Sequence, residues 1–185
     1  MCPKVLLSSF KINSLWITVV YEEGPVLLAN SIPAASMEES RELALEALRG
    51  RGITNFEVSK AEAGADLARK IMSQCSDSIK LSYEGMPAFT RAVLDCVRKI
   101  PSGRYMTYKD VAVAVGRPRA YRAVGNVMAS HPFPYLIPCH RVIRSDLSIG
   151  GYGPDPALKE KFLVGEGVQF EKGRATVKHR QAQDK

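Results

Sequence analysis

The chain has 185 residues, 45% of them hydrophobic and 24% charged, which is enough apolar material for a packed core and excludes a disordered chain. Its net charge of +7 is lopsided: residues 1–82 carry 9 Lys and Arg against 10 Asp and Glu, whereas residues 83–185 carry 17 against 9, so a polyanion site is expected in the second half. No stretch approaches the ~20 apolar residues of a membrane span, and the short apolar start is interrupted by Ser8, Ser9 and Lys11 before it could act as a signal peptide, so a soluble, cytoplasmic protein is expected.

Residues 10–21 are rich in β-branched and aromatic side chains and predict a strand. Glu22-Glu23-Gly24-Pro25 predicts a turn, and residues 26–30 a second strand, making a hairpin. Ser36 followed by Glu39 predicts a capping box at the start of a helix through Leu48, with Met37, Leu43, Ala44, Ala47 and Leu48 on one face and Gly50 and Gly52 beyond its end. A strand over 53–58 and a helix over 63–75 complete a small α/β unit in which nothing suggests chemistry. This gives a structural first domain of residues 1–82, joined to the rest by a linker over 82–87.

Residues 88–99 predict an amphipathic helix with Phe89, Val93, Val97 and Ile100 inward. Thr107 then caps a short helix carrying Val111, Ala112 and Val115, which Gly116-Arg117-Pro118 breaks, and a second helix is expected over 119–130. Two short helices around a Gly-containing turn predict a helix-turn-helix. Arg117, Arg119 and Arg122 cluster at the start of the second helix, where cations oppose the macrodipole. Phosphate binding gives them a reason to be there, against the alternative of a solvated basic face.

The most informative stretch is Ile137-Pro138-Cys139-His140-Arg141-Val142. A thiolate is a nucleophile, an adjacent imidazole can take the thiol proton, and Arg141 adds positive field. For a bare Cys-His pair, a buried, inert cysteine is the competing account. Cys2, Cys75, Cys96 and Cys139 include no CxxC pair, so no zinc site is expected, while a Cys75–Cys96 disulfide stays open. Gly150-Gly151-Tyr152-Gly153 predicts a loop that lets backbone approach a ligand, residues 156–164 a helix bearing Lys159 and followed by Glu166, and residues 171–185 a polar, basic tail.

In this order, Thr107-Tyr108, Arg122-Ala123-Val124-Gly125, Pro138-Cys139-His140-Arg141-Val142, Gly150-Gly151-Tyr152 and Lys159 through Glu166 make residues 89–168 resemble the O6-alkylguanine-DNA alkyltransferase family. The resemblance implies an α+β protein. Its small α/β domain would precede an all-α, winged-helix-like domain (residues 83–170) that binds DNA and accepts the alkyl group. It implies a single-turnover transfer from O6-alkylguanine, and from O4-alkylthymine, in double-stranded DNA to Cys139, by a monomer needing no cofactor or metal. It assigns His140 as base through a water, Glu166 as the residue orienting His140, and Tyr108, supported by Lys159, as donor to guanine N3. Arg122 would fill the gap left by the flipped nucleotide, with Arg117, Arg119, Ala123, Gly125 and Tyr108 also on the DNA. Met128, Pro134, Val142, Tyr152 and Gly153 would line the pocket. Two positions depart from the family's pattern. His131 stands where an Asn usually ties the recognition helix to the active-site segment, and Gly153 replaces a frequent Ser.

Overall fold

The computed structural model describes residues 4–74, 78–152 and 156–181. The chain divides into two compact units, one of residues up to Gly85 together with Ser130–Ile137, the other of Met86–Ala129 and Pro138 onward. Helices and strands are mixed throughout, so the fold is α+β.

The first unit is a five-stranded sheet. Strands β1 (Val5–Ile12), β2 (Leu15–Glu22) and β3 (Val26–Asn30) are antiparallel neighbours, and β4 (Glu57–Val58) and β5 (Lys80–Leu81) add in parallel at its two edges. The single strand expected over 10–21 is therefore wrong: its residues are shared between two strands. Asn13 and Ser14 both take positive φ, 47° and 71°, and form the two-residue turn that pairs Ile12 with Leu15. The expected hairpin between β2 and β3 is present. The strand expected over 53–58 shrinks to its last two residues.

Helix α1 (Met37–Arg49) covers one face of the sheet, where Leu7, Val20, Leu28, Ala29, Ala44 and Leu48 form a buried cluster. Ser36 caps it as expected by accepting from Glu39 N, but the Glu39 carboxylate returns to the Ala35 amide, not to that of Ser36. Helix α2 (Glu62–Met72) covers the opposite face with Gly64, Leu67, Ala68 and Ile71 buried. Gly64 is needed for close approach, since a Cβ there would lie 2.9 Å from both the Ser8 and Tyr21 hydroxyl oxygens. Cys75, at the end of the longer helix expected here, lies outside the described residues.

Residues 130–137 join this unit through the end of β3. The Asn30 amide N–H donates to Pro132 O (3.0 Å), and the Asn30 side chain donates to Pro134 O (2.6 Å) and Ser31 O (2.8 Å). Phe133 is buried and meets the Tyr83 ring edge-on.

The second unit contains α3 (Ala88–Arg98), β6 (Met106–Thr107), α4 (Tyr108–Ala114), α5 (Tyr121–Ser130), β7 (Val142–Ile143), α6 (Pro156–Gly165), β8 (Phe170–Glu171) and β9 (Arg174–Ala175). It is not all-α as expected: β6 pairs with β7 in parallel, and β8 with β9 antiparallel. The expected tail is built into this unit as far as Gln181. Tyr105 N donates to His179 O and Gln181 N to Tyr105 O, which makes a parallel bridge just before β6. Cys96 carries a reduced thiol.

Candidate active site

The β6–β7 pair organises the site. Met106 pairs with Val142 and Thr107 with Ile143, so the residue that starts α4, Tyr108, and the residues just before β7 are drawn together. Those residues, Cys139–Arg141, form a single 3₁₀ turn. Thr107 fixes the start of α4 through a complete capping box: its hydroxyl accepts from Asp110 N (3.1 Å), and Asp110 accepts from Thr107 N (2.8 Å).

Cys139 is 5% exposed and not in a disulfide. The next residue, His140, is fully buried, and its Nε2 lies 2.9 Å from Glu166 Oε1. Glu166 also accepts from Arg141 Nε (2.8 Å) and Nη2 (2.7 Å), while Arg141 Nη1 donates to Ile100 O (2.6 Å). Burial would raise the Glu166 pKa, but the hydrogen bonds and charges of His140 and Arg141 outweigh it and hold the carboxyl down to about 2. Burial lowers the pKa of His140; Glu166 opposes this, and the charges of Arg141 and Lys159 add to it. A neutral ring beside a permanent carboxylate donates from Nε2, which makes Nδ1 the basic nitrogen.

Lys159 projects from α6 and is 1% exposed. Its ammonium donates to Val142 O (2.6 Å), more weakly to Gly151 O and Tyr108 Oη (both 3.4 Å), and lies 5.5 Å from the centre of the Tyr108 ring. Burial lowers its pKa to about 8, with Cys139 acting in the opposite sense. Tyr108 is shifted up, first by burial and then by the charge of Cys139. Cys139, Tyr108 and Lys159 therefore share one electrostatic environment. Tyr152 and Phe162 meet the His140 ring at centroid distances of 6.5 and 5.4 Å and pack edge-on against each other.

Helices α4 and α5 form the expected helix-turn-helix pair. Gly116, at φ +71°, ends α4 by donating to Val113 O, and Arg117 N donates to Ala112 O, the two bonds of a Schellman ending. Helix α5 begins at Tyr121, two residues later than expected, so Arg117 and Arg119 lie in the connection and only Arg122 is on the helix. All three arginines are exposed, as is Ala123; Gly125 and Met128 are partly buried, and Val124 faces the core. The Arg122 guanidinium lies 5.9 Å from the centre of the exposed Tyr121 ring.

The structure thus gathers Cys139, His140, Glu166, Tyr108, Lys159, Val142 and Tyr152. His131 and Pro134 belong to the first unit, where His131 Nδ1 accepts from Phe133 N (3.3 Å) and burial pushes the imidazole pKa down to about 4. Gly153 lies outside the described residues. Sequence reasoning missed the role of Arg141, which clamps Glu166 and neutralises its charge, and the contact of Phe162 with the His140 ring. Among the described residues, no group of three His, Cys, Asp or Glu side chains could hold a metal ion, and no helix is long and apolar enough to cross a membrane.

Residues 88–168 match the family described as 6-O-methylguanine DNA methyltransferase, DNA binding domain. The methylated-DNA–protein-cysteine methyltransferase of Methanothermobacter thermautotrophicus is 39% identical over 109 residues, 57% of this chain and 61% of that protein. The protein of the same name from Rattus norvegicus is 47% identical over 83 residues, 44% of this chain and 40% of that protein. The matched segment thus spans from two fifths to three fifths of these relatives. The crystal structure of the O6-methylguanine-DNA methyltransferase of Pyrococcus kodakaraensis superposes with a TM-score of 0.69 at 26% identity, covering 89% of this chain and 99% of that one. The Mycobacterium tuberculosis O6-methylguanine methyltransferase shares the fold, with a TM-score of 0.66 at 23% identity over 94% of this chain and 96% of that one. The similarity to the O6-methylguanine-DNA methyltransferase family thus rests on residues 88–168, the segment that these relatives share.

Proposed function

We propose that this protein repairs duplex DNA by moving an alkyl group from guanine O6 onto the sulfur of Cys139, once per molecule. The observation that supports the reading is the set of contacts next to the cysteine in sequence: Arg141 and His140 converge on Glu166, while Tyr108 and Lys159, hydrogen-bonded to each other, both feel the charge of Cys139. Glu166 holds His140 as an Nε2–H tautomer, so the thiol proton leaves for Nδ1, through a water. The thiolate then attacks the alkyl carbon; the S–C bond forms, the C–O6 bond breaks, and its electron pair passes into the guanine ring.

Tyr108 Oη donates its proton to guanine N3 as that charge develops, and the Lys159 ammonium stabilises the resulting phenolate. The same displacement serves O4-alkylthymine. Water does not cleave the thioether product, so the reaction is stoichiometric and needs no cofactor. The alkyl carbon is hidden within the base stack, so the nucleotide is extruded. Arg122 enters the gap from α5 while Arg117 and Arg119 hold phosphates. Ala123 and Gly125 allow close approach along α5, and Met128, Val142 and Tyr152 line the pocket. Residues 83–170 carry this chemistry, residues 1–82 support it, and the protein works as an intracellular monomer on DNA.

The test is incubation with duplex DNA containing O6-methylguanine, followed by mass spectrometry. The Cys139 peptide is expected to gain one CH₂, one-to-one with DNA repaired, and Cys139→Ala to leave the lesion in place. A folded wild-type protein recovered with Cys139 unmodified would falsify the reading.

A further inference from the structure

We propose that Arg180 is a positioning residue for Tyr108, and that residues 176–181 are a working part of the transfer site. This rests on the reading of Tyr108 as proton donor given above. Tyr108 is the first residue of α4, so its placement depends on how that helix begins, and the beginning is held by residues 70 or more positions away in sequence. Arg180 donates through Nε (3.0 Å) and Nη2 (2.5 Å) to the two carboxylate oxygens of Asp110, the carboxylate that closes the α4 capping box with Thr107.

The segment around Arg180 is itself fastened at several points. Tyr105 N donates to His179 O (3.0 Å) and Gln181 N to Tyr105 O (2.8 Å), which lays the segment alongside the residue preceding β6. Tyr105 Oη donates to Thr176 O (3.1 Å), Arg104 Nη1 to Lys178 O (2.6 Å), and His179 Nδ1 lies 3.1 Å from Gly103 O. Residues 105–110 are thus bracketed, by β7 on Met106 and Thr107 and by the segment carrying Arg180 on Tyr105 and Asp110. Cys139 lies just before β7, so both reacting side chains are placed from one short β pair, and Arg180 fixes the end of it that carries Tyr108.

The arrangement has the chemistry of a position lock. Asp110 is 6% exposed, and burial would raise its pKa, but the Arg180 and Thr107 hydrogen bonds outweigh this and keep it an anion. A bidentate guanidinium fixes the carboxylate in a plane, which a monodentate ammonium does not. The Arg180 side chain is 43% exposed and Asp110 keeps its Thr107 hydrogen bonds without it, so Arg180→Ala is expected to lose stability but stay folded, which a thermal melt checks.

The experiment is a double-mutant cycle on the full-length chain, read by labelling of Cys139 with the free base O6-benzylguanine. Arg180→Ala is expected to lower the labelling rate constant at least about fivefold, a fraction of the ~10²-fold that a proton donor contributes, and Arg180→Lys to restore part of it. In the Tyr108→Phe background Arg180→Ala should change the rate less than about twofold, because the group it positions is already gone. Arg174→Ala, on the same stretch of chain, is the control and keeps the wild-type rate. In parallel, the Tyr108 ring resonances, assigned through Tyr108→Phe, should move in Arg180→Ala and stay in Arg174→Ala. An unchanged rate in Arg180→Ala, or an equal loss with and without the Tyr108 hydroxyl, overturns the proposal. If the wild-type protein is not labelled at all, the alkyl-transfer reading fails, and the Tyr108 resonances still decide whether Arg180 sets that side chain.

Discussion

At Glu166 one carboxylate serves two neighbours, and the two can be separated by experiment. It fixes the tautomer of His140 and neutralises the buried Arg141. Glu166→Gln keeps an acceptor for the imidazole but leaves a buried guanidinium without its counter-charge. That loss is expected to cost roughly 3 kcal/mol in denaturant unfolding and about 10²-fold in the Cys139 labelling rate. A variant as stable as wild type but equally slow would assign Glu166 to His140 alone. His131 makes a different kind of prediction. Its folded pKa of about 4 lies below the unfolded value of 6.5, so between these values the unfolded chain binds the extra proton and stability falls as the pH falls. The residue is only partly buried, so the loss is of order 1–2 kcal/mol, below the ~3 that the full shift would give. His131→Asn keeps an acceptor within reach of Phe133 N and is expected to remove this share of the loss between pH 6.5 and 4, leaving the share of His140, whose folded pKa is also lowered. It retains the later loss toward pH 2 that comes from Glu166, whose folded pKa of about 2 lies below its unfolded 4.5. Its labelling rate should stay within about tenfold of wild type; a rise of about a hundredfold would mean that the imidazole misplaces the segment.

The turn between α4 and α5 shows how an element boundary decides which side chains reach a partner. Gly116 sits at φ +71° with nothing near its missing Cβ, so Gly116→Ala meets conformational strain and no clash. The expected cost is about 1 kcal/mol, read as a lowered melting temperature; a neutral result would show that α4 can end without its Schellman bonds. The sequence announces this ending through Gly116-Arg117-Pro118, but places the start of α5 too early, because Arg119 and Ala120 are good helix formers and the Schellman bond at Arg117 N is invisible to propensity. The same limit applies elsewhere. Thr107 and Asp110 are three residues apart and legible as a cap, and Cys139 and His140 are adjacent. Asn13-Ser14 lacks the glycine that usually marks a two-residue turn, so β1 and β2 read as one strand. The ties from Asn30 to Pro134, 104 residues on, and from Arg180 to Asp110, 70 residues back, leave no periodic trace. What was legible of the site was local chemistry. What was not were the groups that hold it, Arg141, Phe162 and Arg180, whose partners come together only in the folded chain.

Taken whole, the molecule carries its charge where the proposed partner would bind. Residues 1–82 are close to neutral and residues 83–185 hold the excess of cations, among them the exposed Arg117 and Arg119 of the connection into α5 and Arg122 in its first turn. Net charge by itself would attract DNA to any face, so the question is whether affinity resides in those arginines or in the overall field. Counterion release separates the two, because each phosphate neutralised contributes about 0.9 to the slope of log K against log salt. Replacing Arg117 and Arg119 together by alanine should reduce that slope by about 2 in fluorescence-anisotropy titrations with undamaged duplex. Replacing Arg49 and Lys60, exposed cations of the first unit, removes the same formal charge and should leave the slope unchanged. Equal changes in the two double variants would mean that duplex is held by diffuse attraction and that the helix-turn-helix connection is not its docking site. A change confined to the arginine pair makes the binding local, as insertion of Arg122 beside them requires, and places the phosphate contacts at the end of α5 from which that side chain enters.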